Sequence, residues 1–94
     1  MRLGIVGCGY VAGFYMKTLP NFPELEVIGA YDIDSSRLDA FVAEYNIRQY
    51  SSLQDLCNDA DIDIVINLTW IKSHFSVSKM ALESGKHVYS EKPI

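Results

Sequence analysis

Ninety-four residues, 49% of them hydrophobic and 21% charged, with a formal net charge of −4, allow one modest core and a soluble globular chain; a chain this short buries roughly 60% of its unfolded surface. No basic field is available for nucleic acid, and the longest later apolar run, from Ile64 to Ile71, is far short of the ~20 residues that a membrane-crossing helix needs. Cys8 and Cys57 show neither C-x-x-C spacing nor a companion histidine cluster, which excludes a disulfide framework and a zinc site as organising features and suits a reducing, cytoplasmic setting.

Leu3 to Val6 reads as a short buried strand. The uncharged stretch from Leu3 to Met16 behind Arg2 could also pass for the core of a secretory signal, but no small-x-small cleavage pattern follows and its glycines fall where a turn needs them. The next segment places Val11, Phe14, Tyr15 and Leu19 at helical spacing before Pro20 stops it. Leu25 to Tyr31 is a second strand. Asp34 or Ser35 then caps a helix whose Leu38, Phe41, Val42 and Tyr45 form one apolar stripe. Arg48 to Tyr50 has room for a brief third strand, and Ser52 with Asp55 resembles a capping box for a short helix carrying Leu53 and Leu56. Ile62 to Thr69 is β-branched and mostly apolar, as a strand covered on both faces should be. Ser73 is placed to cap the helix that follows, with Val77, Ala81 and Leu82 facing inward and Gly85 ending it. His87 to Ser90 is the last strand. Strands alternating with helices require parallel pairing and right-handed crossovers, so the fold class expected is α/β: a doubly wound, three-layer sheet of order 3-2-1-4-5, a Rossmann fold ending after its fifth strand.

The chemistry sits in Val6-Gly7-Cys8-Gly9-Tyr10-Val11-Ala12-Gly13. As G-x-G-x-x-A between a strand and a helix, Gly7 makes the tight turn, Gly9 lets the backbone approach a diphosphate, and Ala12 keeps helix and strand close. Tyr10 and Val11 lie in the same turn. Asp32, closing the second strand twenty positions after Ala12, can accept hydrogen bonds from a ribose diol. A carboxylate there favours NAD and repels the 2′-phosphate of NADP, although Arg37 nearby could offset that repulsion. The alternative for Asp32 is a helix-capping or loop carboxylate. Cys8 could be a thiol activated by the helix N-terminus, or simply a small residue filling the turn. Asp55, Asp59, Asp61 and Asp63 lack any metal-ligand spacing and read as a solvated face.

With Glu91-Lys92-Pro93 after the fifth strand, and Thr69 with His74 after the fourth, the chain resembles the glucose-fructose oxidoreductase, inositol dehydrogenase and rhizopine-catabolism family (Gfo/Idh/MocA). The resemblance covers residues 1–94 as the N-terminal NAD(P)-binding domain only, without the substrate domain. It implies an NAD(P)-dependent oxidoreductase acting on sugars, cyclitols and related compounds. Lys92 would be the catalytic residue at the substrate hydroxyl, Glu91 would lie near the nicotinamide ribose, and Leu68, Thr69 and His74 would line the cofactor crevice. The family often carries Thr-Pro-Asn with a histidine after two more residues, whereas this chain reads Thr69-Trp70-Ile71-Lys72-Ser73-His74, so the asparagine of that pattern is replaced, and Trp70 is open to three readings: a flat apolar wall beside the ring, a core residue, or a contact with a second domain. Two other readings remain open at this level: a non-catalytic NAD(P)-binding sensor, and an inactive fragment. An exposed fifth strand is expected to act as an edge for association into a homo-oligomer.

Overall fold

Strand and helix alternate as the hydrophobic pattern requires. The computed structural model describes residues 1–69 and 71–90, of residues 71–74 the backbone only. It runs β1 (Arg2–Val6), α1 (Tyr10–Thr18), a 3-10 turn (Leu19–Asn21), β2 (Glu26–Tyr31), α2 (Ser35–Tyr45), β3 (Arg48–Gln49), α3 (Leu53–Asn58), β4 (Ile64–Asn67), α4 (Ile71–Glu83) and β5 (His87–Ser90). The sheet order is β3-β2-β1-β4-β5, and every pairing is parallel. The α/β doubly wound architecture expected from the sequence is the one observed.

Each strand divides its side chains between two faces, and each face has its own helices. Leu3, Ile5, Ala30 and Ile66 pack with Ala12 of α1 and with Leu38 and Phe41 of α2. Val6 and Val65 point the other way, onto Leu56 and Cys57 of α3 and Val77 and Ala81 of α4. Burying a side chain such as Ile5, which has no exposed surface, contributes roughly 1.5–3 kcal/mol. That pairing of faces is what holds three layers together.

Capping follows local chemistry. The Asp34 side chain accepts from the Arg37 backbone N–H at 3.1 Å and starts α2. Ser52 accepts from the Asp55 N–H at 3.1 Å and starts α3; the Asp55 carboxylate takes a hydrogen bond from the Ser51 hydroxyl at 2.7 Å. Gly85, with φ +80°, ends α4, and the Lys86 N–H reaches the Ala81 carbonyl while the Gly85 N–H reaches that of Leu82, both at 3.0 Å. These are the two bonds of a left-handed helix terminus that satisfies the last carbonyls.

Three details of the sequence reading are corrected. The inward stripe of α1 is the buried Ala12 with the partly buried Tyr15 and Met16, continued by Leu19 of the 3-10 turn, while Val11 and Phe14 are exposed at 39% and 65%; both stripes satisfy helical spacing, and the one bearing alanine lets the helix approach the sheet. Ser73 lies inside α4, which begins at Ile71, so it is not the cap. Leu82 is exposed, because it sits about 100° around the helix from Ala81, off the face that meets the sheet.

The acidic cluster at the lower edge of the sheet is partnered and so is more than a solvated face. Arg48 donates to Asp59 and Asp61, both at 3.0 Å, Arg2 pairs with Asp61 at 3.3 Å, and the Tyr50 hydroxyl donates to Asp59 at 2.5 Å. That hydroxyl holds the Asp59 carboxyl below its usual range, with the Asp61 N–H and Arg48 adding to the effect. A depressed carboxylate stabilises the fold above its unfolded pKa, near 4, and the contribution fades as pH falls through the lower folded value. Tyr50→Phe is therefore expected to lower the urea midpoint at neutral pH, and the gap to wild type should close as pH falls through the lowered range of the Asp59 carboxyl. A gap independent of pH would assign the loss to packing alone.

Candidate functional site

β1 ends in the middle of the sheet, with the chain leaving toward β2 and α2 on one side and toward β4 and α4 on the other. At such a switch in strand order the loops diverge and leave a crevice above the carboxyl ends of the strands. Gly7 closes its floor. It adopts φ +97°, and a Cβ there would lie 2.8 Å from the Leu68 carbonyl oxygen, so only glycine lets the β1–α1 turn rest against the β4–α4 loop. The Gly7 N–H donates to the Tyr31 carbonyl, and the Leu68 N–H to that of Val6, both at 2.9 Å. Three strand ends are thus tied to one turn.

Gly9 has the opposite character. It is exposed at the start of α1, and a Cβ built on it would meet nothing within 4 Å. No side chain caps α1, and its first turn carries no acidic residue, whereas α2 and α3 are capped by Asp34 and Ser52. The first N–H groups of a helix have no partner within it and carry the positive end of its dipole. A diphosphate meets those donors without steric obstruction from Gly9, so the residues present fit that group.

Asp32 stands beside this turn, 7% exposed at the end of β2. One carboxylate oxygen accepts from the Cys8 N–H and the other from the Asp34 N–H, each at 2.8 Å. The loop-carboxylate role weighed for Asp32 is therefore real: it staples the glycine turn to the start of α2. A carboxylate offers about four acceptor positions, so the two N–H groups leave others for a hydroxyl pair. Arg37 lies 3.7 Å from Asp32, its side chain about half exposed at 47%. The Cys8 thiol is pushed up to about 12, first by burial and then by the Asp32 charge, against a smaller opposing effect of Arg37. Burial and the neighbouring carboxylate favour the neutral thiol, which supports the reading of Cys8 as a small residue filling the turn.

The remaining predicted residues fall as follows. Tyr10 is 93% exposed at the first position of α1, with Val11 next to it, and Ala12 has no exposed surface; Ala12 contributes its packing to the turn. Leu68 and Thr69 are half-buried at the end of β4. His74 is the fourth residue of α4, its side chain lying outside the described residues, as do Trp70, Glu91 and Lys92. Sequence reasoning missed two features. A groove of about 380 Å³ runs between α1 and α2, lined by Gly9, Phe14, Lys17, Arg37 and Phe41 among others. Asn67, wholly buried at the last position of β4, is a lone amide in an apolar strand, and that break in the pattern was the only available signal.

The profile of an oxidoreductase family with an NAD-binding Rossmann fold, Gfo/Idh/MocA, matches residues 1–94. Over 97 residues the chain is 33% identical to inositol 2-dehydrogenase of Salmonella typhimurium, covering 100% of this chain and 29% of that protein. The WlbA dehydrogenase of Chromobacterium violaceum, solved with NADH and UDP-GlcNAcA, superposes with a TM-score of 0.90 at 36% identity, covering 99% of this chain and 27% of that one. Biliverdin reductase of Synechocystis, solved with biliverdin and NADP+, gives a TM-score of 0.90 at 30% identity over 98% of this chain and 29% of that one. The chain therefore spans less than a third of the length of these relatives. Sheet order, glycine turn and family profile agree, and the chain belongs to the Gfo/Idh/MocA oxidoreductase family as an NAD-binding Rossmann domain.

Proposed function

We propose that residues 1–94 form the nucleotide-binding half of a cytoplasmic oxidoreductase that moves hydride between a nicotinamide cofactor and a sugar, cyclitol or related hydroxy compound. The observation that carries this reading is the uncapped N-terminus of α1 opening at Gly9 beside the Asp32 carboxylate. Gly7, Gly9, Tyr10, Val11 and Ala12 form the diphosphate turn, and Asp32 with Arg37 faces the adenosine ribose. Leu68, Thr69, His74 and Glu91 serve the nicotinamide side. NAD is preferred to NADP, since Asp32 repels a 2′-phosphate more than Arg37 attracts it. When bound, the cofactor would supply the nicotinamide ring that exchanges hydride with the substrate carbon. Lys92 places an ammonium by the substrate hydroxyl, where it stabilises developing alkoxide charge and lowers the hydroxyl pKa. A second domain supplies the substrate contacts and excludes water, and copies associate through the outer edge of β5.

Relatives whose names specify inositol or a UDP-sugar support the substrate class, and the NADH-bound WlbA dehydrogenase supports the cofactor. Titration of the chain with NADH, followed by nicotinamide fluorescence or calorimetry, is expected to saturate, with NADPH binding more weakly. No saturable binding at millimolar cofactor would reject the assignment.

A further inference from the structure

The carboxyl ends of β4 and β5 are joined by a polar relay that starts from one buried amide. Asn67, with no exposed surface, holds Thr69 through one oxygen: its Oδ1 accepts from the Thr69 N–H at 3.2 Å and from the Thr69 hydroxyl at 2.7 Å. Because a backbone N–H can only donate, that oxygen must face Thr69, and the amide orientation is fixed. The Asn67 Nδ2 then donates to the Ser78 hydroxyl of α4 at 2.8 Å. Ser78 and Ser90 share a hydrogen bond of 3.2 Å between their hydroxyl oxygens, and Asn67 and Ser90 are register partners on β4 and β5. One amide thus sets the relative position of the β4–α4 loop, α4 and the last residue of β5. Burying an amide in a strand otherwise built of Ile64, Val65 and Ile66 is costly unless all its bonds are made.

The sheet order says what lies above this relay. With the adenosine ribose at the end of β2 and the diphosphate at the end of β1, a dinucleotide continuing in the same direction crosses β4 and then β5. Strands are about 4.8 Å apart, which puts β5 about 10 Å from β1, within reach of the nicotinamide ribose. Resting on the cofactor reading above, we propose that Asn67, through Ser78 and Ser90, is a positioning residue for the nicotinamide half of the site: it fixes Thr69 on one side and the entry to Glu91 and Lys92 on the other. It has no such role for the adenosine half, which Gly9 and Asp32 hold independently.

ADP separates the two halves, because it contains the adenosine and the diphosphate but neither the second ribose nor the nicotinamide ring. Asn67→Ala, Ser78→Ala and Ser90→Ala are each titrated with NADH and with ADP by calorimetry. Ser90 is exposed and Ser78 half-buried, so those two variants keep the test open if Asn67→Ala fails to fold. The expected result is NADH binding weakened about fivefold or more, with ADP affinity within about twofold of wild type; Ser78→Thr, which keeps a hydroxyl, restores NADH binding. Equal losses for both ligands would mark the relay as merely structural and overturn the proposal, as would unchanged NADH binding in all three variants. If wild type binds neither ligand, the cofactor reading fails and the positioning role falls with it; if it binds both, that reading stands whatever the variants do.

Discussion

Gly7→Ala should destabilise this chain more than any other single-methyl addition in the β1–α1 turn, by about 3 kcal/mol or more. Two separate costs meet at that position. An L-residue held at positive φ carries roughly 1–2 kcal/mol of strain, and Gly7 sits at +97°. The added carbon would also lie 2.8 Å from the Leu68 carbonyl oxygen and 2.9 Å from its carbonyl carbon, and overpacking of this kind costs typically 1–3 kcal/mol. Both contacts are to backbone, so no rotamer change can relieve them. A domain of this size has a total stability of roughly 5–15 kcal/mol, which makes the loss a large part of what holds the native state. Gly9→Ala is the control two residues on. Nothing lies within 4 Å of the new carbon, so its stability should stay within about 1 kcal/mol of wild type, while NADH affinity falls about tenfold, because the methyl projects where the diphosphate approaches the N–H groups of α1. Urea denaturation and calorimetric titration of the two variants read the two effects separately. If Gly7→Ala unfolds at the wild-type midpoint, the close approach of the two loops is not a constraint on the fold.

What could be read in the sequence was what depends on local chemistry. The glycine turn and the acidic residue ending β2 are set by neighbours in the chain, and so are the caps Asp34 and Ser52; each appears where its spacing placed it. Choosing the buried face of α1 required knowing how close the helix comes to the sheet. Ala12, Tyr15, Met16 and Leu19 fit helical spacing as well as Val11, Phe14, Tyr15 and Leu19 do, and only Ala12, with its small side chain pressed against β1, decides between them. For Cys8 the sequence offers two readings, and burial supports that of a small residue filling the turn. Its sequence position announces the helix N-terminus, but its burial and the Asp32 charge, which favour the neutral thiol, come from residues brought in by the fold. Asn67 is the extreme case: its partner Ser78 lies eleven residues away, and the partner of that partner twelve further on. Such a relay has no sequence period, so hydrophobic patterning could register only an interruption in β4.

Asp32→Asn should show that one carboxylate has two jobs. The substitution keeps a single carbonyl oxygen and turns an NH2 group toward the other backbone donor, so either the Cys8 N–H or the Asp34 N–H, each now 2.8 Å from an acceptor, loses its partner. A hydrogen bond to a charged group contributes about 1.5–3 kcal/mol, and a loss of about 2 kcal/mol in urea unfolding is expected. The effect on binding should be larger and selective. NAD loses its ribose acceptor, while NADP loses a repulsive charge and gains Arg37, whose guanidinium no longer faces a carboxylate 3.7 Å away. The ratio of NADP to NAD affinity should therefore rise about tenfold or more, which corresponds to about 1.4 kcal/mol of altered discrimination. Arg37→Ala in the same background should remove most of that gain, because a 2′-phosphate then has no cation to meet. Calorimetric titration of wild type and both variants with NAD and NADP gives the ratio directly. If Asp32→Asn lowers stability yet leaves the ratio unchanged, Asp32 is a staple between the glycine turn and α2 and nothing more, and the cofactor preference must be set elsewhere.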